Sequence, residues 1–242
     1  MDTLIKLSDV SDQTFITVTT SCNLKCHNCS LWEKGDLTTE NITSLIQENR
    51  FFSHFPIVGT YNVVGGDPLM FVDIVYLFTF LKSKGIKTRL WTNGIFSINN
   101  FESLKGIVDE IVLYFPSPIK ESYSDYTGLA TLESFIETLD YLKQDGFKVL
   151  LNYPITPETL PDLADAYELA YYRNLQLITH YSKYDRYSKD SIAFIKRFYK
   201  IKDVWVFQED IYNPRVCRAV PVRSFLMKRF HVMNLLRTKL SI

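Results

Sequence analysis

A chain of 242 residues with 46% hydrophobic and 22% charged residues can bury one sizeable core, so we expect a single barrel or large α/β domain. The 27 basic residues balance the 27 acidic ones, which argues against an overall attraction to nucleic acid or to an anionic membrane. The sequence has no leader pattern at its start, no run near the ~20 apolar residues of a membrane span, and no disulfide framework among its four cysteines. These features favour a cytoplasmic protein.

Short β-rich runs alternate with helical patterns along the chain. The predicted strands cover residues 15–20, 60–64, 87–92, 110–115, 147–152 and 175–180. The predicted helices cover residues 39–49, 71–84, 100–105, 132–144 and 160–173. Gly85 and Gly146 each follow a polar helix end and precede a strand, as residues that stop a helix do.

This order of elements predicts an α/β fold with a parallel sheet, because parallel strands need crossover helices between them. We interpret residues 1–182 as an open, partial (β/α)6 barrel and residues 183–242 as a short basic extension that packs on the barrel. In barrels and doubly wound sheets the chemistry lies at the carboxyl ends of the strands. The polar groups at those ends are the loop at residues 22–29, the turn at residues 65–68, Asn93 with Gly94, Ser117, Asn152, and His180 with Tyr181.

The loop after the first predicted strand reads CNLKCHNC and holds three of the four cysteines, Cys22, Cys26 and Cys29. Three thiolates on one loop can converge on a metal centre, and soft thiolates favour iron–sulfur clusters or zinc. A structural zinc site needs a fourth ligand; His27 lies within the loop, whereas Cys217 is far along the chain. The spacing therefore predicts a metal and leaves its identity open.

Three motifs together resemble the radical S-adenosylmethionine (radical SAM) enzymes: the Cys-x3-Cys-x2-Cys loop, the Gly-Gly-Asp-Pro turn at residues 65–68 and the Thr-Asn-Gly turn at residues 92–94. The resemblance runs from about residue 14 to residue 181. It implies one [4Fe-4S] cluster on Cys22, Cys26 and Cys29, with S-adenosylmethionine chelating the open iron. The chemistry it implies is reductive cleavage of S-adenosylmethionine to a 5′-deoxyadenosyl radical, which abstracts a hydrogen atom from the substrate.

The resemblance assigns Gly65, Gly66, Asp67 and Pro68 to S-adenosylmethionine binding, although the family usually has glutamate where this chain has Asp67. We expect the shorter carboxylate to accept a hydrogen bond from the methionine ammonium. The position before the last cysteine is usually aromatic, and here it is Asn28. Contacts to the adenine are then expected from Asn28 itself or from His27, Trp32 or Tyr181.

The second half of the chain, from residue 110 to 128 and from residue 147 to 163, resembles radical SAM enzymes that modify peptides and other natural products. By that likeness Ser117 and Asn152 reach the carboxylate or ribose of S-adenosylmethionine, and Asn93 and His180 also belong to the cofactor-binding set. Each has an ordinary alternative: a turn for Asn93 and Ser117, a strand end for Asn152, and an aromatic surface loop for His180.

Cys217 is the only cysteine after Cys29, and a single thiolate cannot hold an auxiliary cluster. It is either a buried small hydrophobe, the more frequent fate of a lone cysteine, or a catalytic hydrogen donor that quenches a substrate radical in an epimerase. After Asp210 the chain carries seven basic and no acidic residues. This tail is either a helix packed over the barrel opening or a dock for an acidic partner, such as a precursor peptide.

We therefore expect a radical SAM enzyme that modifies a peptide or another natural product and takes electrons from a reductase such as flavodoxin or ferredoxin. One alternative is a radical SAM enzyme acting on a sugar, nucleoside or amino acid. Another is an activase that installs a glycyl radical on a partner enzyme. A non-catalytic zinc or electron-transfer module is the third, but it would give the Gly-Gly-Asp-Pro turn no purpose.

Overall fold

Seven parallel strands form one sheet in the computed structural model, which describes residues 13–27, 29, 31, 42–181, 188–191, 193–194 and 205–208. The strands are β1 (Gln13–Thr19), β2 (Thr60–Gly65), β3 (Lys87–Thr92), β4 (Glu110–Tyr114), β5 (Val149–Ile155), β6 (Gln176–Tyr181) and β7 (Trp205–Gln208). They lie side by side in chain order, and every neighbouring pair is parallel. Among the described residues β1 does not pair with β7, so the sheet is open. The predicted α/β fold with a parallel sheet is confirmed.

Helices connect the strands. They are α1 (Ile42–Gln47), α2 (Phe51–His54), α3 (Ile74–Ser83), α4 (Ile98–Glu102), α5 (Lys120–Thr127), α6 (Leu132–Gln144) and α7 (Leu163–Tyr172), with 3-10 turns at Pro68–Met70 and Leu160–Asp162. Residues 189–191 and 193–194 are also helical. Gly85 and Gly146 have positive φ angles of 70° and 85° directly after α3 and α6, which confirms them as helix stops.

The sheet separates two cores of unequal size. The larger core packs strand residues such as Val63, Leu90 and Leu113 against the helices, including Leu77 of α3 and Leu139 of α6. The opposite, concave face carries a smaller apolar cluster of Phe15, Val64, Trp91, Val112, Leu150 and Ile178. Successive side chains of a strand point to opposite faces, so Asn93, Tyr114 and Asn152 continue this concave face toward the carboxyl ends of the strands.

A buried ion-pair network closes the amino-terminal end of the concave face. Glu110 is 2% exposed and bonds to Arg89 Nε, to Lys87 Nζ at 2.9 Å and to Lys148 Nζ at 2.5 Å. Burial alone would raise the pKa of Glu110, but the attraction of Arg89 and the hydrogen bonds from the three cations outweigh it and hold this pKa at about 2. This ion-pair network therefore lies at the end of the sheet opposite the cysteine loop.

None of the helices in the described ranges is long and apolar enough to cross a membrane.

Candidate functional site

The loop that leaves β1 brings three free thiols together. Cys22, Cys26 and Cys29 are half-buried and form no disulfide. Burial is the main cause that raises the pKa of Cys22 to about 11 and that of Cys26 to about 12, and the neighbouring thiols of the triplet raise both further. All three thiols lie on one loop, and metal binding would release their protons.

The donor set of three thiols fits an iron–sulfur cubane. No three His, Cys, Asp or Glu side chains in the described part of the chain lie close enough together to hold one metal ion. A cubane places each thiolate on a different iron, so its ligands stand farther apart than the ligands of one tetrahedral zinc. Three free thiols on one loop can supply one ligand to each of three irons.

The glycine turn after β2 holds the beginning of the cysteine loop. Gly66 N donates to Thr19 O at 2.9 Å, and Asp67 N donates to Ser21 O at 2.7 Å. A Cβ atom at Gly65 would lie 2.3 Å from Thr19 O, and one at Gly66 would lie 2.2 Å from Ser21 O. Only glycine lets the two backbones approach this closely.

Asn93, directly after β3, joins that strand to the cysteine loop. Its side-chain Nδ2 donates to Asn23 Oδ1 at 2.7 Å and lies 3.7 Å from Cys22 Sγ, while its Oδ1 accepts from Ile95 N at 2.8 Å. Asn23 in turn donates to Ile95 O at 2.6 Å. The amide therefore supplies a hydrogen bond to one of the three sulfur atoms, in addition to the one that Leu24 N donates to Cys22 Sγ at 3.4 Å.

The Asp67 carboxylate points into the protein. It is 1% exposed and accepts from Leu69 N at 3.0 Å, from Thr92 Oγ1 at 2.8 and 3.0 Å, and from Asn93 N at 2.8 Å. Burial raises the pKa of Asp67 to about 6 against the opposing effect of these hydrogen bonds. In this structure the carboxylate ties the end of β2 to the end of β3, a role that the motif alone did not reveal.

Two further predicted residues are buried, Ser117 after β4 and Asn152 within β5. Ser117 is 1% exposed, and its hydroxyl donates to Asp162 Oδ2 at 2.6 Å and accepts from Ile119 N at 3.0 Å. Asn152 is also 1% exposed and lies within β5, which continues through Tyr153 and Pro154 to Ile155. The alternative that Asn152 ends its strand is therefore wrong.

Several predicted residues fall outside what the structure describes. Asn28, Trp32, Cys217 and the basic tail after Asp210 lie outside the described residues. The backbones of His180 and Tyr181 belong to β6, where they pair with Phe207 and Gln208. Their roles at the site, and those of Pro68, Ser117 and Asn152, stay predictions.

Helix α5 is a site element that the sequence analysis missed. His27 N donates to Tyr126 O at 2.9 Å, and a Cβ atom at Gly128 would lie 3.1 Å from Lys25 O, so the end of this helix packs against the cysteine loop. Tyr123 of α5 is fully buried in the core cluster against which Cys26 packs. The segment KESYSDYT lacks an apolar face, and only its two tyrosines and Gly128 could have pointed to it.

Comparisons with known proteins agree with this geometry. A family model described as the radical SAM superfamily matches residues 16–170. The AdoMet-dependent heme synthase of Oleidesulfovibrio alaskensis is 28% identical over 162 residues, which are 63% of this chain and 40% of that protein. The GTP 3′,8-cyclase of Synechocystis sp. is 27% identical over 149 residues, which are 59% of this chain and 45% of that protein.

Solved structures share the fold at low sequence identity. SuiB of Streptococcus suis bound to its precursor peptide SuiA superposes with a TM-score of 0.63 at 16% identity, covering 78% of this chain and 46% of that chain. SuiB has also been solved bound to S-adenosylmethionine. The chain spans less than half the length of the curated relatives it matches.

Proposed function

Because the chain belongs to the radical SAM superfamily, whose members are enzymes that use a [4Fe-4S] cluster and S-adenosylmethionine, we propose that it is a radical SAM enzyme with one cluster on Cys22, Cys26 and Cys29. When bound, the two cofactors supply the electron and the 5′-deoxyadenosyl radical that abstracts a hydrogen atom from substrate. The observation that carries this proposal is the convergence of three free thiols on a loop fixed by Gly66 and Asn93.

The chain's own residues hold and orient the cofactors. The three thiolates bind the irons, and Asn93 donates a hydrogen bond to the Cys22 sulfur. Asn152 shares the concave face with Leu150 of the same strand and would contribute to holding S-adenosylmethionine. Asp67 acts on this site by fixing the backbone of Asn93. Placing the reacting groups in a fixed geometry is the largest contribution a protein makes to such chemistry.

The substrate class that we propose is a peptide or another natural product. Support comes from the resemblance of the second half of the chain to enzymes of that kind and from the shared fold with SuiB, whose structure holds a precursor peptide. A reductase such as flavodoxin or ferredoxin would deliver the electron.

Anaerobic reconstitution tests the cofactor part of the proposal. We expect about four irons per chain, the content of a single cubane, and a spectrum that changes when S-adenosylmethionine is added. The reduced protein should form 5′-deoxyadenosine, and a variant with alanine at Cys22, Cys26 and Cys29 should not. Iron near eight per chain would contradict the single-cluster assignment, and the absence of 5′-deoxyadenosine under all reducing conditions would contradict the reaction.

Candidate substrates then separate the substrate classes. We expect 5′-deoxyadenosine formation to rise when a peptide encoded beside this protein is added, since a correctly placed C–H bond speeds the reaction. GTP and a tetrapyrrole, suggested by the names of the relatives, are the comparison substrates. Stimulation by either of these, with no effect of peptides, would contradict the peptide assignment and leave the radical chemistry intact.

A further inference from the structure

Helix α5 contacts the cysteine loop at two backbone points beside the cluster ligands. The first is the hydrogen bond of 2.9 Å from His27 N to Tyr126 O. The second is the close approach of Gly128, whose φ angle is 75°, to the carbonyl of Lys25. These contacts hold one side of the helix against the segment that contains Cys26.

Tyr123 lies on that side of α5 and carries a polar atom without a partner. The residue is 0% exposed, its ring packs against Phe135 with ring centroids 5.6 Å apart, and its hydroxyl has no hydrogen-bond partner. Burial and, after it, the neighbouring Cys26 thiol raise the pKa of Tyr123. Cys26 packs against the same apolar core cluster as Tyr123. Tyr123 also lies one helical turn before Tyr126, whose carbonyl bonds to His27, the residue after Cys26.

A buried hydroxyl that lacks a partner is costly, so its place in the structure needs an explanation. The nearby group whose protonation state changes is Cys26, which becomes a thiolate when it binds iron. A thiolate is a far better hydrogen-bond acceptor than a thiol. Hydrogen bonds to cluster sulfurs are one of the ways in which a protein sets the reduction potential of an iron–sulfur centre. The arrangement thus provides a donor that has no use until a cluster is bound.

We propose that the Tyr123 hydroxyl donates a hydrogen bond to the Cys26 thiolate of the bound cluster and thereby raises its reduction potential. This inference rests on the proposed function, because it needs the cluster on the cysteine triplet. Reduction adds one negative charge to the cluster, and a donor to its sulfur stabilises the reduced form more than the oxidised form. Tyr123 is a positioning and tuning residue, since it acts through Cys26.

The test is a one-electron redox titration of the reconstituted Tyr123→Phe variant, with dithionite as reductant and viologen mediators. We expect the reduction potential of the cluster to fall by about 59 mV, which for a one-electron couple corresponds to a tenfold change in the ratio of reduced to oxidised cluster. The iron–sulfur stretching bands of the wild-type protein should also shift between H2O and D2O, and this shift should disappear in the variant. An unchanged potential with full cluster content would overturn the inference.

Tyr61→Phe is the matched control. Tyr61 is equally buried, but it lies in β2 and its hydroxyl already donates to Pro56 O at 2.6 Å. We expect Tyr61→Phe to lower the urea midpoint of the apoprotein and to leave the cluster potential unchanged. Tyr123→Phe should leave the apoprotein as stable as wild type or more stable, because it removes an unpaired hydroxyl.

The outcomes separate the two proposals. If Tyr123→Phe destabilises the apoprotein as much as Tyr61→Phe does, the hydroxyl already has a partner without the cluster and the inference is overturned. Failure of the wild-type protein to bind any cluster would overturn both the inference and the proposed function. A normal wild-type cluster with identical potentials in wild type and Tyr123→Phe would overturn the inference alone.

Discussion

Gly66 shows at the scale of one residue how little space separates the glycine turn from the cysteine loop. A Cβ atom there would lie 2.2 to 2.3 Å from the carbonyl oxygens of Ser21 and Thr20. Both are backbone atoms, so the loop itself must move. We expect Gly66→Ala to lower the iron retained after reconstitution and to destabilise the protein by about 1–3 kcal/mol or more, the usual cost of overpacking.

Gly106→Ala is the control for that experiment. Gly106 has a positive φ angle of 75°, and a Cβ atom there would meet nothing within 4 Å. It should cost about 1–2 kcal/mol for the left-handed backbone conformation and leave the iron content unchanged. Equal iron content in both variants would show that the turn does not hold the loop.

Asp67 supports a second prediction because three donors depend on its carboxylate. Asp67→Ala leaves Leu69 N, Asn93 N and the Thr92 hydroxyl without their acceptor, and a buried unsatisfied group costs about 1–3 kcal/mol. We expect a loss of about 3 kcal/mol in the free energy of unfolding of the apoprotein, together with weaker S-adenosylmethionine binding. Urea unfolding and a binding titration measure the two effects.

The same experiment distinguishes the two roles of Asp67. A carboxylate that acts only on the methionine ammonium would weaken S-adenosylmethionine binding and leave the apoprotein stable. An unchanged unfolding midpoint in Asp67→Ala would therefore contradict the structural role that the hydrogen bonds indicate.

Residue identities predicted which groups gather at the site better than they predicted what those groups bond to. The cysteines, Gly66 and Asn93 converge because motif spacing and parallel strands bring strand ends together. The partners of Ser117 and Asp67 could not be predicted: the Asp162 carboxylate lies 45 residues from Ser117, and the direction of the Asp67 side chain depends on the exact path of the turn. Tyr123 was not among the predicted site residues, because only the two tyrosines and Gly128 distinguish helix α5 in the sequence.

At the scale of elements, Glu110 joins three segments at the amino-terminal end of the sheet. Its carboxylate bonds to Arg89 and Lys87 of β3 and to Lys148 just before β5. We expect Glu110→Gln to lower the free energy of unfolding by about 3–5 kcal/mol, because it leaves the buried Arg89 guanidinium uncompensated. Cluster content should be unaffected, since the site lies at the other end of the strands.

This ion-pair network also predicts a pH dependence of stability. The folded pKa of Glu110 is lowered from 4.5 to about 2, so the unfolded chain binds the proton first as the pH falls. The stabilisation is fully present above about pH 4.5 and is lost between there and about pH 2. Wild-type unfolding free energy should fall through this window more steeply than that of Glu110→Gln.

An exposed pair provides the comparison for Glu110. Glu48 bonds to Arg50 at 2.9 Å, and both side chains are more than half exposed. Glu48→Gln should change stability by less than about 1 kcal/mol. If Glu110→Gln changed the free energy of unfolding as little as Glu48→Gln does, the ion-pair network would not stabilise the fold. The same conclusion would follow if the stability of Glu110→Gln depended on pH in the same way as that of wild type.

Elements with a strong hydrophobic period were the ones predicted from sequence. The predicted helix at residues 132–144 coincides with α6, and six predicted strands overlap β1 to β6. Helix α5 was missed because most of its residues are polar, and β7 was missed because four residues give too short a pattern. The predicted helix at residues 39–49 ends at Gln47, and α2 follows separately after the left-handed Asn49, whose φ angle is 57°.

At the scale of the whole molecule, we expect the sheet to stay folded when the cluster is removed. The two cores pack apolar side chains of strands and helices, whereas the cysteine loop is held by a few hydrogen bonds and by its metal. We expect anaerobic chelation to release hydrogen-exchange protection at Gly66, Asp67 and His27 while the β3 to β5 amides stay protected. Loss of protection throughout β3 to β5 on chelation would show that the fold itself requires the cluster.

The anchors of the cysteine loop also impose an order in time. The loop at residues 22–29 is synthesised early, yet the groups that fix it follow at Gly66, Asn93 and Tyr126. At about 5–20 residues per second, roughly 5–20 s separate the appearance of Cys29 from that of Tyr126. The ligands of the cluster are therefore among the first residues of the site to leave the ribosome and the last to be secured, so iron delivered before α5 has been made would meet thiols without a scaffold.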